Sequence, residues 1–128
     1  MRHPILETPI MEYVLTFNQP LDVYDYNTNP ETAPIGMKPW KLYIEAMMAA
    51  GIVRACQRLD VHTATRVSVR EGRRHVQDGP FADTKELLGG FVMIAVPSLD
   101  EALRWAERAP CSLTGCTEVF TLMQTGAK

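Results

Sequence analysis

Three segments of this chain carry apolar residues at both odd and even positions, and this pattern limits the available folds more than any other feature. They span residues 13–17, 91–96 and 119–123. Neighbouring side chains of a strand point to opposite faces, so a sheet built from these segments presents apolar groups on both faces. Two amphipathic helices can cover only one of those faces. We therefore expect the other face to be buried against a second copy of the chain, because isologous dimers are the commonest assembly.

The first helix is predicted over residues 40–48, where apolar side chains recur at helical spacing. Pro39 suits the first turn of this helix, and Gly51 suits the position just after its C-terminus. The apolar stripe predicts core packing rather than a methionine-lined cofactor site. Its members are Trp40, Tyr43, Ile44, Met47 and Met48.

The second helix is predicted to begin at Ser98, because Ser98 and Glu101 have the spacing of a capping box. Pro110 marks its end. Small and apolar residues at helical spacing form the side that we expect to be buried. These are Leu99, Ala102, Leu103, Ala106 and Ala109.

Further strands are predicted at residues 52–59, 66–70 and 74–77, the last two joined by a tight turn at Glu71 and Gly72. Cys56 lies in an apolar segment, so we expect it in the core. The resulting order is strand, helix, strand, hairpin, strand, helix, strand. This order predicts an α+β fold, a ferredoxin-like split βαβ sheet with an inserted β-hairpin.

Residues 18–39 are rich in Pro, Asn, Asp and Thr, which predicts an unusually long irregular connection between the first strand and the first helix. Such a segment serves either as a functional lid or as an insertion without a role at the site. Some of its side chains could line a cleft or could simply pack locally. They are Asp22, Tyr24, Asp25 and Tyr26.

Length and composition indicate one globular domain. The chain has 128 residues, of which 46% are hydrophobic and 22% are charged. We expect a single domain over residues 11–125, preceded by a weakly ordered N-terminal extension over residues 1–10.

Charge, hydropathy and cysteine content narrow the expected partners and location. A net charge of −2 predicts no nucleic-acid partner. The arginines of residues 66–74 have acidic neighbours and predict a solvated edge.

The longest apolar run is far shorter than the roughly 20 residues of a membrane helix, so no membrane partner is expected. No signal peptide is visible and the 3 cysteines are odd in number, so we expect reduced thiols and a cytoplasmic location.

The densest turn signals lie in residues 78–90. Asp78, Gly79 and Pro80 are strong turn formers in this order. Residues 83 and 86, an Asp and a Glu, have the spacing of a capping box for a short helical turn. The Gly89-Gly90 pair predicts a close approach of another group to the backbone before the next strand.

This segment resembles the signature of the DGPF family of YCII-related proteins, with Asp78-Gly79-Pro80-Phe81 followed by the Gly89-Gly90 pair. The resemblance extends over residues 11–123. It implies a dimeric α+β barrel in which ferredoxin-like sheets of two copies pack together. Some relatives in the wider superfamily are enzymes that use a His–Asp pair, and DGPF proteins are often linked to extracytoplasmic-function sigma factors. The sequence offers no evident counterpart of that His–Asp pair.

Two residues are candidates for proton transfer. Asp78 could act at a strand end if burial tunes its pKa, or it could hold its own turn by accepting backbone N–H groups. His62 could act as a base near neutral pH, or it could be an exposed loop histidine. No metal or cofactor is expected, because Cys111 and Cys116 lack a second pair of ligands nearby.

Three functions are compatible with these features. The first is binding of a small molecule in a cleft near the DGPF turn, by a homodimer. The second is a lyase or isomerase in which Asp78 or His62 moves a proton, and the third is an interaction module for a sigma-factor-linked regulator. The predicted ligand-binding residues are Tyr13, Asp78, Gly79, Pro80, Phe81, Lys85, Gly90 and Phe91.

Overall fold

A computed structural model describes residues 10–81 and 85–123 of the chain. The predicted weak order of residues 1–10 and the predicted helical turn starting at residue 83 fall wholly or mainly outside these ranges. The strands are β1 (Met11–Gln19), β2 (Val53–Arg58), β3 (Thr65–Arg70), β4 (Arg73–Asp78), β5 (Leu87–Val96) and β6 (Cys116–Thr121).

The helices alternate with these strands along the chain. A 3₁₀ turn over Val61–Thr63 follows β2, and no helix in the described ranges is long and apolar enough to cross a membrane. The helices are α1 (Leu21–Thr28), α2 (Ala33–Gly36), α3 (Lys38–Ala49), α4 (Leu99–Arg108) and α5 (Cys111–Thr114).

The main sheet has four strands in the order β2-β5-β1-β6, and every neighbouring pair is antiparallel. The strands that flank α3 are β1 and β2, and β5 lies between them, which is the split βαβ arrangement. β3 and β4 form a separate hairpin between β2 and β5 in the chain. The predicted α+β fold with an inserted hairpin is therefore confirmed, whereas the dimeric barrel stays a prediction.

The core lies between one face of this sheet and helices α3 and α4. Alternate residues of β1 are buried, and its central Leu15 is opposite Val92 of β5. Met47 from α3 and Ala102 from α4 pack into the same cluster. Burying several such side chains, each worth about 1.5–3 kcal/mol, fixes both helices on this face.

The buried side of α4 differs from the predicted one. Ser98 caps the helix as expected, because its Oγ accepts a hydrogen bond from the backbone N–H of Glu101 at 3.3 Å. Leu99 and Leu103, however, are exposed at 48% and 45%. The prediction was wrong at these two positions because α4 places a line of alanines on the sheet, with Trp105 beside them, so the leucines fall on the flank. The buried alanines are Ala102, Ala106 and Ala109.

Two further burial predictions were wrong. Met48 was expected in the core but is exposed, because successive residues of a helix point about 100° apart and Met47 is the one that faces the core. Cys56 was expected in the core but is a free, exposed thiol. It lies on the helix-covered side of β2, but β2 is at an edge of the sheet and, among the described strands, pairs with β5 alone.

The second face of the sheet carries apolar side chains that the described helices leave partly exposed. Val14 is paired with Met93 on one side and with Phe120 on the other, so these three share the face opposite Leu15. The Phe120 side chain is 52% exposed. The sequence pattern of strands with two apolar faces is thus present in the sheet.

The hairpin and the DGPF turn pack against each other. Glu71 and Gly72 have φ angles of 53° and 77°, so both central residues of the predicted turn lie in the left-handed region that tight hairpin turns favour. The backbone N–H of Gly79 donates to the carbonyl of Ala64 at 2.7 Å. The guanidinium of Arg66 lies 3.9 Å from the ring centre of Phe81.

The expected irregular connection over residues 18–39 is instead largely helical. Helices α1 and α2 occupy most of it and are joined by a short turn. The prediction was wrong because α1 has little helical periodicity of its own, its sequence being LDVYDYNT, so tertiary contacts decide its structure. The most important of these contacts is made by Tyr24.

Candidate functional site

A cavity of about 630 Å³ lies between the sheet, α1 and α3. The end of β1, the cavity side of α1 and one face of α3 line it. The end of β2 with the 3₁₀ turn, and the start of β5, complete the wall. The cavity therefore collects residues from five separate parts of the chain.

Aromatic rings form the inner wall of the cavity. The ring of Phe17 meets Trp40 edge-on at 4.9 Å between centroids, and Trp40 meets Tyr43 at 6.0 Å. Tyr43 is anchored behind them, because its hydroxyl donates to the carbonyl of Trp105 at 2.7 Å. Edge-to-face pairs of this kind are favourable and hold the rings in fixed orientations. This wall is therefore preformed.

Tyr24 fixes α1 over the cavity at a bulge in the sheet. The pairing of β1 with β5 shifts after Phe17, which leaves Gly89 as the extra residue. The Tyr24 hydroxyl donates to the carbonyl of Leu87 at 2.6 Å and lies 3.3 Å from the carbonyl of Phe17. Burial raises the pKa of Tyr24, so this hydroxyl stays protonated and keeps its role as a donor.

Gly89 lets the Tyr24 ring lie directly on the strand. A Cβ at Gly89 would overlap the Tyr24 ring, so only glycine permits this contact. A Cβ at Gly90 would come within 2.9 Å of the carbonyl oxygen of Gln57 on β2. The glycine pair predicts that another group lies close to the backbone, and this close approach is present at both Gly89 and Gly90.

A histidine and two carboxylates stand together at the edge of the cavity. His62 Nε2 lies 2.7 Å from Asp25 Oδ1, and His62 Nδ1 lies 3.5 Å from Asp60 Oδ1. Asp60 also caps the 3₁₀ turn, accepting the backbone N–H of His62 at 3.0 Å. The hydrogen bond with Asp25 is the main reason that the pKa of His62 is raised, and the charges of both aspartates add to it.

This arrangement favours the imidazolium form of His62. Both ring nitrogens face carboxylate oxygens, so each N–H of the cation has an acceptor. The side chain of His62 is 40% exposed, so it can exchange protons with solvent or with a bound molecule. The raised pKa of His62 therefore suits it better to donate a proton or to contact an anion than to act as a base.

Two carboxamides supply neutral polar groups inside the cavity. Gln19 is buried and donates from Nε2 to Thr114 Oγ1 at 3.1 Å. Asn27 is 8% exposed, and its side chain forms no hydrogen bond with another residue in the described ranges. The Asn27 amide is thus available to a molecule in the cavity.

The sequence-predicted site residues do not meet at one place. His62, Gly90 and Phe91 line the cavity. Tyr13 is buried in the core beyond it. The residues outside the cavity lining are Asp78, Gly79, Pro80, Phe81 and Lys85.

Asp78 ends β4 opposite Thr65 and is exposed. Its carboxylate forms no hydrogen bond with a residue in the described ranges, and residues 82–84 of the following turn lie outside them. Both interpretations of Asp78, as a proton-transfer group and as the holder of its turn, stay predictions. The assignment of the remaining DGPF residues to ligand binding also stays a prediction.

Sequence reasoning missed several cavity residues because it assigned their pattern to the core. Trp40 and Ile44 belong to the apolar stripe of α3, yet they face the cavity as well as the core cluster. Of the four side chains named in residues 18–39, Tyr24 lines the cavity and Asp25 binds His62. No spacing rule pairs Asp25 with His62, so only the folded chain shows them as a dyad.

The cysteines differ in their surroundings. The Cys56 thiol lines the cavity, and burial raises its pKa. Cys111 is buried with its thiol 3.1 Å from Thr117 Oγ1, and Cys116 Sγ lies 3.3 Å from Glu86 Oε1. Across residues 10–81 and 85–123, no group of three or more His, Cys, Asp or Glu side chains is placed to hold a metal ion.

Comparison with known proteins gives two matches. The model of the YCII-related domain matches residues 37–125. An uncharacterized protein of Rhizobium meliloti (strain 1021) is 42% identical over 66 residues, which cover 50% of this chain and 49% of the relative. The matched stretch is thus about half the length of that relative.

Proposed function

The chain belongs to the YCII-related domain family, and we propose that this member binds a small molecule in the cavity between α1, α3 and the sheet. One observation carries the proposal. A preformed aromatic wall and His62, which is hydrogen-bonded to Asp25, line the same cavity of about 630 Å³.

The size and lining of the cavity support this proposal. Binding sites for small molecules are usually of roughly 300–1,000 Å³, mostly apolar, with a few placed polar groups. Here Phe17 and Trp40 provide the apolar surface, and Asn27 and His62 provide polar groups. The polar groups are few and lie beside the apolar surface, which is the composition of a binding site.

Among the described residues of the stretch 78–91, those at the start of β5 line the cavity. Gly90 and Phe91 line it, whereas the Asp78–Phe81 turn packs on the hairpin at Ala64 and Arg66. We place the ligand next to Gly90 rather than at Asp78. The role of the turn in this proposal is to lead the chain from β4 into β5.

A neutral fluorescent probe, N-phenyl-1-naphthylamine, tests the proposal. Its emission rises on transfer from water into an apolar site, so we expect saturable binding by the wild-type chain. Cys56→Trp would fill the cavity from its sheet side and should abolish that signal. Arg54→Trp is the matched control, because Arg54 is exposed on the same strand and does not line the cavity.

Two outcomes of this experiment count against the proposal. The first is no saturable binding by the wild-type chain. The second is equal binding by Cys56→Trp and Arg54→Trp, which would place the probe elsewhere. Circular dichroism of both variants shows that each comparison is made on folded protein.

A second candidate function is proton transfer to a bound substrate, of the lyase or isomerase kind. The 2.7 Å contact between His62 and Asp25 favours it, because a carboxylate that orients a histidine is a common catalytic arrangement. The raised pKa of His62 favours the role of general acid. Turnover should then fall as pH rises through the pKa of His62, and His62→Gln should remove that pH dependence together with most of the rate.

We also propose that the open face of the sheet is buried in a homodimer. Val14, Met93 and Phe120 form an apolar surface on a face that α3 and α4 do not cover. Contiguous apolar side chains on an uncovered sheet face are typical of an interface. The same surface on a second copy is its simplest complement, since a two-fold axis pairs a patch with itself.

The remaining expectations stay predictions. These are the cytoplasmic location, the absence of a nucleic-acid partner and the link to a sigma-factor regulator. A pull-down tests this link. Enrichment of a sigma factor by both wild type and the Cys56→Trp variant would favour the regulatory module over ligand binding.

A further inference from the structure

We propose that the cavity selects a ligand with a flat apolar body and one anionic group, such as an aryl carboxylate. This inference rests on the proposed binding function and names the chemical class of the ligand. It is carried by two cations, Lys41 and Arg58, that line an otherwise largely apolar cavity.

Lys41 belongs to the cavity face of α3. Residues 37, 40, 41 and 44 all line the cavity, and their spacing of i, i+3, i+4 and i+7 is that of one helical face. The other three members of this face are Met37, Trp40 and Ile44. A lysine in this stripe lays its alkyl stem along apolar surface and places its ammonium at the edge.

Arg58 reaches the cavity from the opposite wall. It is opposite Gly90, and Gly90 is in turn opposite Phe17, so Arg58 is on the face of the sheet that carries the buried Phe17 ring. Cys56, two residues earlier on β2, is on the same face and also lines the cavity. The guanidinium is therefore on the ligand side of the strand.

Neither cation has an ion-pair partner within the described ranges, where the ion pairs are those of His62 with Asp25 and Asp60. The two carboxylates nearest the cavity edge are thus engaged with a histidine, while Lys41 and Arg58 remain available. Both residues are exposed, and a cation without an ion-pair partner can form a charge-assisted hydrogen bond with an anionic ligand, which is stronger than a neutral one. Arg58 can also hold a carboxylate through two parallel N–H groups.

Asn27 adds a neutral contact. Asn27 lines the cavity, and its amide can donate to or accept from a polar atom of the ligand. The aromatic wall formed by Phe17 and Trp40 suits a planar body. Together these groups describe a molecule that is flat, apolar and acidic at one end.

A matched pair of probes tests this selectivity. N-phenyl-1-naphthylamine and 8-anilino-1-naphthalenesulfonate share the same arylamine body, and only the second carries an anion. We expect the sulfonate to bind wild type at least tenfold more tightly at low salt, because one charge-assisted contact is worth about that factor. Lys41→Gln and Arg58→Gln should each reduce the affinity for the sulfonate by about tenfold and leave that for the neutral probe unchanged.

The control variant is Arg54→Gln, which removes a cation of β2 that does not line the cavity. It should bind both probes as wild type does. Equal affinity of wild type for the two probes, or a loss in Arg54→Gln as large as in Arg58→Gln, would overturn the selectivity and leave the binding function in place. Failure of both probes to bind would overturn the binding function itself, and the selectivity with it.

Discussion

His62 Nε2 lies 2.7 Å from Asp25 Oδ1, and this contact joins the 3₁₀ turn after β2 to helix α1 across 37 positions of sequence. Both residues are partly exposed, so the pair is in contact with solvent at the edge of the cavity. The His62–Asp25 pair thus joins α1, which covers the cavity, to the 3₁₀ turn in the cavity wall through two titratable side chains.

Replacing Asp25 should change the titration of His62. We expect Asp25→Asn to lower the pKa of His62, because the hydrogen bond with Asp25 is the largest cause of its rise. An NMR titration of the imidazole C–H signals measures this shift, with His62→Gln to assign the resonance. A pKa of His62 that is the same in wild type and in Asp25→Asn would contradict the geometry of the dyad.

The same dyad makes stability depend on pH. A histidine with a raised pKa in the folded state stabilises the fold fully below its unfolded pKa of about 6.5, and this stabilisation is lost as pH rises through the folded pKa. The melting temperature of wild type should therefore be higher than that of Asp25→Asn. This difference should be larger at acidic pH than at pH values above the pKa of His62. Parallel melting curves at several pH values measure this; a gap that widens with rising pH would contradict it.

Gly89→Ala should destabilise the chain through Tyr24. The added Cβ would overlap the Tyr24 ring, and forcing an atom into a packed site typically costs about 1–3 kcal/mol. Urea unfolding gives the free energy of unfolding for Gly89→Ala, Tyr24→Ala and the double variant. The cost of Gly89→Ala should be smaller in the Tyr24→Ala background, since the clash is then absent. Strict additivity would show that the two residues are not in contact.

Met47 and Met48 offer a matched test of the core. Met47 is 0% exposed and Met48 is 61% exposed, although both belong to the stripe predicted for α3. Met47→Ala should lower the free energy of unfolding by about 2–5 kcal/mol, whereas Met48→Ala should change it by less than roughly 0.5 kcal/mol. Equal effects in chemical denaturation would contradict the orientation of the helix.

Phe120→Arg should separate the proposed dimer. It places a charge in the apolar face that Phe120 shares with Val14 and Met93, and an unpaired charge in a buried interface is costly. Light scattering coupled to size-exclusion chromatography should give a dimer for wild type and a monomer for the variant. Leu113→Arg is the control, since Leu113 is 92% exposed on α5. A wild-type monomer would contradict the proposal directly.

Local sequence signals predicted the scaffold well. The Ser98 cap, the stripe of α3 as far as Met47 and the turn at Glu71 and Gly72 each act within a few residues, and each is present in the fold. Leu99, Leu103 and Cys56 were misplaced, because burial at these positions depends on how a neighbouring element is rotated or how far the sheet extends. Periodicity alone does not contain that information.

The candidate site was harder to predict, because its parts meet only in the folded chain. Tyr24 orders α1 through carbonyls at the bulge before β5, and that bulge is itself a property of the pairing between β1 and β5. His62 was named from its chemistry, but its partner Asp25 lies in a segment that was expected to be irregular. The ligand site was instead predicted at the Asp78–Phe81 turn, because the local turn chemistry of these residues is strong.

The match to the YCII-related domain begins at residue 37. Gln19, Tyr24 and Asn27 line the cavity, and all three precede the matched stretch. Asp25 precedes it as well. Helix α3 and strand β2, which line the cavity, thus come from the matched part of the chain. Helix α1, which covers the cavity, and Asp25, which orients His62, come from outside it. The proposed site thus combines His62, Lys41 and Arg58 from inside the matched stretch with Tyr24, Asp25 and Asn27 from outside it, so a match to the domain alone does not carry the site from one protein to another.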